Sequence, residues 1–242
     1  MFDRIKKAFS RDAIEAKESV SANLKSPLNS PLNSPQSTLV SEWSDQQGYT
    51  FSGQSKNKSL AIDGKLKGKP WRLEVGAPQR NFICGEELRA RAELGLDEDI
   101  SVLVMSRALK NSLEKKAYDI YTDDLQTTID PNLPEEMRWL AVYQEVGWDG
   151  LPGAFWDRYS VLSDDLDKAR AWVTPQLAVL MLEWPLPEPH PEVPVILMLL
   201  RGKAYLRMEY APASLHILQH ANQIFATACQ AALDHLATDI SL

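Results

Sequence analysis

The chain has 242 residues, of which 44% are hydrophobic and 8% aromatic, enough to bury the core of one domain or of two small ones. Two widely spaced cysteines, Cys84 and Cys229, are too few for a disulfide framework and indicate reduced thiols. No apolar run approaches the roughly 20 residues of a membrane-spanning helix, and residues 1–20 carry charges throughout, which argues against a secretory signal. The composition therefore predicts a soluble, cytoplasmic protein.

The net charge of −7 is unevenly distributed along the chain. Residues 1–80 hold 13 Lys and Arg against 8 Asp and Glu, a balance of +5, whereas residues 81–242 hold 13 against 25, a balance of −12. The basic N-terminal third indicates an anionic partner. The acidic remainder disfavours nucleic acid in that role, because it would repel the phosphates.

The first predicted element is an amphipathic helix over residues 1–20. Apolar residues recur there at helical spacing on one stripe, and the basic residues of the first three turns lie off that stripe. A single helix this short is marginal in water, so it needs a surface to bind. The residues expected to contact a membrane or a partner are Phe2, Arg4, Ile5, Lys6, Lys7, Phe9 and Arg11.

Two kinds of surface fit this helix, and a frayed terminus without a role is the third interpretation. On an anionic membrane, burying Phe2, Ile5 and Phe9 contributes ~1.5–3 kcal/mol each, and each basic residue adds ~1 kcal/mol. Ordering the helix offsets much of that gain, so attachment is weak and reversible. A groove on a partner protein would use the same i, i+3 and i+7 anchors.

A disordered linker is predicted over residues 21–40. The unit Ser26-Pro27-Leu28-Asn29 repeats as Ser30-Pro31-Leu32-Asn33, and Ser34-Pro35 follows. Proline at every fourth position removes amide donors and biases each preceding residue toward extended geometry, which excludes a helix or the interior of a sheet. The segment therefore behaves as a semi-extended tether.

Residues 41–242 are predicted to form one domain. Alternating apolar and polar residues predict strands, in chain order, within 59–76 (a hairpin), 81–94, 100–106, 158–162, 193–200 and 203–210. Helical spacing and capping residues predict helices over 107–116, 163–172, 176–182 and 213–237, with an irregular aromatic segment at 147–157. The predominance of hairpins predicts an α+β fold, an antiparallel sheet with helices packed on one face, preceded by the amphipathic helix and the linker.

Residues 155–225 resemble a family of uncharacterised bacterial proteins, many of them membrane-anchored. The shared features are Phe155 with Tyr159-Ser160-Val161, then Asp164-Asp165, Ala169-Arg170 and Thr174-Pro175, followed by the paired strands and the start of the last helix (194–200, 203–210 and 215–225). The resemblance implies a bacterial source and proximity to a membrane. It implies no activity and no functional residues.

The predicted hairpin carries a basic stripe beside Trp71. Because Lys65, Lys67 and Lys69 lie two residues apart, we expect them to project from one face. With Arg72 they are candidate anion contacts, for a lipid phosphate in particular. The alternative is a strand edge that lysine protects against aggregation.

Residue patterns that could carry chemistry each have a simpler structural explanation. His216 and His220 have the i, i+4 spacing of zinc ligands, but we expect both on the solvated face of the last helix. The acidic pairs at 97–99, 123–124, 135–136 and 164–165 lie in turns or at helix starts, where carboxylates are favoured locally. The sequence therefore predicts no catalytic residue, no metal and no cofactor, and it leaves the oligomeric state open.

The sequence as a whole favours a non-enzymatic interaction or scaffold protein, cytoplasmic and peripheral at the inner membrane. Its N-terminal helix would recruit the domain to an anionic membrane surface or to a partner protein. The alternative is an enzyme, or a small-ligand-binding domain, with a pocket near the aromatic segment 147–157. A deep pocket lined by a buried carboxylate or His190 would favour that alternative, and a flat surface would favour the interaction module.

Overall fold

A computed structural model describes residues 35–53, 60–124 and 135–237 of the chain. The predicted N-terminal helix, with its seven expected contact residues, lies outside the described residues, as does the linker up to residue 34. The strands are β1 Thr50–Ser52, β2 Leu60–Leu66, β3 Lys69–Gly76, β4 Glu87–Glu93, β5 Ser101–Ser106, β6 Gln144–Val146, β7 Tyr159–Ser163, β8 Val195–Leu200 and β9 Lys203–Glu209. The helices are α1 Pro35–Gln46, α2 Arg107–Asp124, α3 Glu135–Val142, α4 Gly153–Arg158, α5 Leu166–Trp172, α6 Pro175–Leu182 and α7 Leu215–His235.

These nine strands form a single sheet in the order β1–β2–β3–β4–β9–β8–β5–β7–β6, and every neighbouring pair is antiparallel. The predicted α+β class with an antiparallel sheet is confirmed. The predicted strand over 81–94 is shorter than expected, because β4 begins only at Glu87 and a loop precedes it.

The C-terminal hairpin completes the middle of the sheet. β9 pairs with β4 and β8 pairs with β5, so the hairpin joins the strands β1 to β4 to the strands β5, β7 and β6. Its turn is Arg201-Gly202, with φ of 52° and 71°. A Cβ at Gly202 would lie 2.6 Å from the carbonyl oxygen of Leu96, so this position requires glycine for close approach as well as for its backbone angle.

The main hydrophobic core lies between one face of the sheet and helices α5, α6 and α7. Alternate residues of each strand point into it, such as Leu88 of β4, Leu206 of β9 and Leu197 of β8, all fully buried. The indole N–H of Trp172, at the end of α5, donates to the carbonyl of Ala228 in α7 at 2.9 Å. This hydrogen bond fixes the two helices against each other beneath the sheet.

A second, smaller cluster lies on the opposite face, and its buried strand residues come from β8, β5 and β7. Leu103, Met198 and Leu162 alternate with residues of the main core and pack against α2 and α3. The structure thus adds a short helical layer on the second face, at one end of the sheet. The remaining strands leave that face uncovered by any described helix.

The predicted linker is wrong at its C-terminal end. Helix α1 begins at Pro35, and Val40 is 1% exposed in the main core. Proline is compatible with the first turn of a helix, where its missing N–H has no partner to lose. The domain therefore starts at Pro35 rather than after residue 40, which agrees with the compact unit Pro35–Leu242.

The helix starts after β7 match the predicted positions with one change of capping residue. Thr174 caps α6 by accepting from the amide of Leu177, and Pro175 is at the first helical position as expected. The expected cap Ser163 instead ends β7, and Asp165 caps α5 by accepting from the amides of residues 167 and 168. Those amides hold the pKa of Asp165 below its ordinary value.

Within the described parts of the chain, no helix has the combined length and apolar character that a membrane crossing requires.

Candidate functional site

The uncovered face of the sheet is strongly polar. On β2, β3, β4 and β9 the residues that alternate with the core are mostly charged, and neighbouring strands place them side by side. The central members of this face are Asp63, Arg72, Glu74, Arg89, Glu87 and Arg207. Across β2–β3 and β3–β4 opposite charges are direct neighbours, Asp63 with Arg72 and Glu74 with Arg89. Across β4–β9 the ion pair is diagonal, from Arg207 to Glu87.

Ion pairs link these residues into a ladder. Arg72 contacts Asp63 at 2.8 Å and Glu74 at 2.7 Å, and Arg89 contacts the other oxygen of Glu74 at 2.9 Å. Burial raises the pKa of Glu74, but the hydrogen bonds from the two guanidinium groups outweigh it and hold that pKa below its ordinary value. The carboxylate of Glu74 therefore stays charged and is neutralised locally.

Glu87 is the buried end of the ladder, with no exposed surface. Its carboxylate accepts from Arg207 at 2.6 Å and from the backbone amide of Gln79 at 2.7 Å. The neighbouring Glu209 accepts from the amide of Cys84 at 2.8 Å. These bonds hold the loop 77–86 across the end of the polar face.

The same loop contacts helix α3. Arg80 forms ion pairs with Glu135 and with Glu136, which is 3% exposed, and Phe82 packs against the second cluster. The loop and α3 therefore form a continuous wall at the border between the covered and uncovered parts of the sheet.

Between this wall and the ladder lies a long depression, which we call the sheet groove. It consists of two adjoining parts of about 490 and 540 Å³ that share Tyr205 and Arg207 of β9. The first part is lined by the half-buried rings of Trp139 in α3 and of Tyr143 just after it, and the second by the ladder residues of β2, β3 and β4. The floor of the first part includes Met198 and Leu200.

Carboxylates collect at the far end of the first part. Glu98 and Asp99 come from the β4–β5 turn, and Asp164 follows β7, and all three are exposed. None of the three forms an ion pair with the residues that the structure describes, whereas the ladder acids do. Arg201 is the cation at this end. In the same described ranges, no three His, Cys, Asp or Glu residues are grouped as metal ligands.

The candidate anion contacts of the β2–β3 hairpin do not share a face. Lys67 and Gly68 form the two-residue turn with positive φ, so the chain reverses there. Lys65 and Arg72 lie on the polar face, whereas Lys69, opposite Leu66, lies on the core side. The expected common projection of the three lysines is therefore wrong, because the spacing rule holds only within one strand.

Two of these four candidates also have acidic partners. Lys67 forms an ion pair with Asp234 of α7, and Arg72 forms its pairs within the ladder. Each cation is thus locally neutralised, which weakens its attraction for an external anion. Anion binding at these residues stays a prediction.

The aromatic segment 147–157 is packed rather than open. Trp148 and Trp156 contact edge to face with ring centroids 5.2 Å apart, and the fully buried Phe155 lies against Trp156 at 5.3 Å. Part of the segment is helical, as α4. The cavity lined by the neighbouring Tyr159 and His190 measures about 10 Å³, the space of roughly one water molecule.

The histidine pair on α7 divides between two environments. His216 is exposed as expected, but His220 is half-buried, with its ring 4.9 Å from that of Trp184 and its Nε2 2.8 Å from the carbonyl oxygen of Leu180. Because a carbonyl only accepts, Nε2 is the protonated nitrogen. Burial lowers the pKa of His220. The contacts with the Leu180 carbonyl and the Trp184 ring occupy this imidazole, which therefore packs between α6 and α7 instead of facing solvent with His216.

Sequence reasoning missed the sheet groove as a site. The alternation of Tyr205, Arg207 and Glu209 with buried residues on β9 was the available signal, since it predicts a polar sheet face. Nothing in the sequence shows that α3 and the loop 77–86 border that face.

Comparisons of this chain with protein-family models, with curated proteins and with solved structures find no match.

Proposed function

We propose that this chain is a non-enzymatic interaction protein. Its folded domain binds a partner through the sheet groove, and its N-terminal segment recruits it to an anionic membrane surface or to a protein. The observation that carries the proposal is the groove itself, a long open depression whose ladder charges neutralise one another. Such a surface presents complementary shape and side chains for recognition.

The polarity of the groove distinguishes it from a small-molecule pocket. Small-molecule sites of ~300–1,000 Å³ are concave, mostly apolar, and carry few convergent polar groups. The two parts of the groove fall in that volume range, which makes a small ligand the second candidate function. Their lining extends over several strands, with the ladder in the second part and aromatic rings and carboxylates in the first, which fits an extended partner better.

Recruitment by the N-terminal segment is supported by charge and periodicity. The apolar stripe with Phe2, Ile5 and Phe9 is flanked by four basic residues in the first three turns, while the chain beyond residue 80 is acidic. An acidic domain is repelled by an anionic membrane, so a basic anchor would have to supply the attraction. The segment then determines where the domain is held, and the groove determines what it holds.

Vesicle co-sedimentation tests recruitment to a membrane. The full chain is compared with a shortened chain that begins at Pro35, where α1 starts, on vesicles of phosphatidylcholine with and without phosphatidylglycerol. We expect the full chain to bind the anionic vesicles and the shortened chain to remain in the supernatant. Equal binding by the two chains would refute recruitment by the N-terminal segment.

A matched pair of variants separates the apolar stripe from the overall charge. The double substitution Ile5→Glu and Phe9→Glu places two carboxylates on the stripe, whereas Ser10→Glu and Ser19→Glu add the same charge off it. We expect the first pair to abolish sedimentation and the second pair to weaken it only partly. If neither the full chain nor its variants bind vesicles, recruitment to a membrane is refuted, and only recruitment to a partner protein remains.

A further inference from the structure

We propose that the sheet groove binds a basic segment of a partner protein, in extended form, with an apolar or aromatic side chain among its cations. This inference rests on the proposed function, since it names the chemistry of the partner that an interaction protein of this kind would recognise.

The dimensions of the groove fit an extended peptide. Its lining runs from Asp63 on β2, across β3, β4, β9 and β8, to Ser101 at the start of β5. Five steps between strands at about 4.8 Å each give a length of roughly 24 Å. An extended chain rises about 3.3 Å per residue, so roughly seven residues span the groove.

The wall of the first part supplies anchors for side chains. Trp139, Tyr143 and Tyr205 are half-buried, so each ring presents one surface to the groove and packs with the rest against the second cluster. Met198 and Leu200 form an apolar floor between them. Aromatic rings over an apolar floor accept both an apolar side chain and the guanidinium or ammonium of a cation.

The distribution of charge selects the sign of the partner. The guanidinium groups of Arg72, Arg89 and Arg207 are each held by carboxylates of the ladder, so they offer little attraction to an anion. By contrast Glu98, Asp99 and Asp164 line the groove with no ion-pair partner among residues 35–53, 60–124 and 135–237. Arg80 and Arg207 also line this part but are held by Glu135, Glu136 and Glu87. Among the described lining residues, the unpaired carboxylates therefore outnumber the remaining cation, Arg201, and that end is negative.

The surrounding chain strengthens this preference. Residues 35–242 hold 20 Lys and Arg against 29 Asp and Glu, a balance of −9, so the field of the domain attracts cations toward the groove and repels acidic segments. The paired charges of the ladder position the bound segment along the sheet, and the unpaired carboxylates select a segment of positive charge. Together they favour a segment with Lys or Arg near one end and an apolar residue over Tyr205.

Selection of peptides by the full chain tests this inference. The immobilised full-length protein is presented with a library of random heptapeptides displayed on phage, and the enriched peptides are synthesised and titrated by fluorescence polarisation. We expect enriched sequences to carry a net positive charge and at least one aromatic or aliphatic residue. We expect their affinity to fall as the salt concentration rises, because exposed charges are screened.

Groove variants locate the binding. Asp99→Lys with Asp164→Lys reverses two carboxylates of the groove, and Asp149→Lys with Asp157→Lys makes the same charge change at exposed residues outside it. We expect the first pair to weaken binding about tenfold or more and the second pair to change it less than about threefold. Tyr205→Leu keeps apolar volume and is expected to weaken binding as well, with thermal unfolding measured to confirm that each variant folds.

Each outcome bears on a different part of the argument. Enriched peptides that are acidic or neutral, yet lose affinity in Tyr205→Leu, would overturn the cationic partner and leave the interaction function standing. Peptides whose affinity is unchanged by both groove variants would overturn the groove as the site. Failure to enrich any peptide, with vesicle recruitment intact, would overturn the inference while leaving recruitment supported.

Discussion

Replacing Glu87 with glutamine tests the buried end of the ladder on which the groove depends. The carboxylate is completely buried and accepts from Arg207 at 2.6 Å and from the amide of Gln79 at 2.7 Å. Glutamine keeps the volume and one acceptor oxygen, but its NH₂ group faces one of those two donors. The substitution therefore removes a charge and at least one hydrogen bond to a charged acceptor.

The magnitude follows from these contacts. A hydrogen bond to a charged group contributes ~1.5–3 kcal/mol, and removing one partner of a fully buried ion pair costs ~3–5 kcal/mol. The side chain of Arg207 is 17% exposed and regains part of its hydration, so we place the loss in the free energy of unfolding between these cases, at roughly 2–4 kcal/mol. At ~2–4 °C per kcal/mol for a domain of this size, Tm falls by about 4–16 °C.

Urea unfolding followed by tryptophan fluorescence measures the change, with thermal unfolding as a second probe. Glu93→Gln is the matched control, since Glu93 lies on the same strand and face but is 43% exposed in its pair with Arg91. We expect that control to change stability by less than about 0.5 kcal/mol. Equal effects of the two substitutions would refute the reasoning, because burial of Glu87 would then carry no energetic consequence.

Three further predictions concern other parts of the fold. Half-burial lowers the pKa of His220 and outweighs the Leu180 carbonyl and the Glu183 charge, both of which raise it. At pH values between this lowered pKa and the ordinary 6.5, His220 is therefore protonated more in the unfolded chain than in the folded one. The contribution of His220 to the free energy of unfolding is therefore complete above pH 6.5 and decreases as the pH falls below it. We expect His220→Gln to remove this decrease, measured in unfolding curves taken from about pH 7.5 to 5. Gly64→Ala places a Cβ 2.4 Å from the buried Trp71 ring, so we expect a loss of ~1–3 kcal/mol in urea unfolding. Cys84 is exposed, and burial raises the pKa of Cys229 to about 12, so a thiol reagent should modify one cysteine in the native protein and two after unfolding.

Each of these predictions has a control within the chain. His216→Gln alters an exposed histidine on the same helix and should leave the pH dependence unchanged. Gly147→Ala adds a Cβ with no atom within 4 Å, at a position without positive φ, and should be neutral. Modification of two thiols in the native protein at equal rates would contradict the burial of Cys229, and an unchanged acid limb in His220→Gln would contradict the assignment to His220.

Local elements were largely predictable from the sequence. The hairpin β2–β3, the strand β5, the restart of α6 at Thr174-Pro175 and the long helix α7 all follow from alternation, capping and periodicity within one segment. The error at the end of the linker occurred where contacts from outside the segment determine its conformation. Residues 35–40 have the composition of a linker, but the structure buries Val40 in the main core. This burial stabilises α1.

The candidate site was much less predictable, because its residues are far apart in the chain. The alternation on β9 shows that Tyr205 and Arg207 share a face, but nothing local shows what lies opposite them. Insertion of the hairpin β8–β9 between β4 and β5 places Arg207 beside Glu87, 120 residues earlier in the chain. Glu98 and Asp99 of the β4–β5 turn lie in the same groove as Asp164 because the strand order places the ends of these strands side by side.

The sequence by itself determined the class of fold, most secondary structure and the opposed charges of the two parts of the chain, because each depends on composition or on spacing within a few residues. The tertiary structure alone decided that the aromatic segment is packed and that a charged groove crosses the sheet. Strand order and register set these features. Strand order and register are selected cooperatively, because the whole core is buried at once, and no single segment contains the information that determines them.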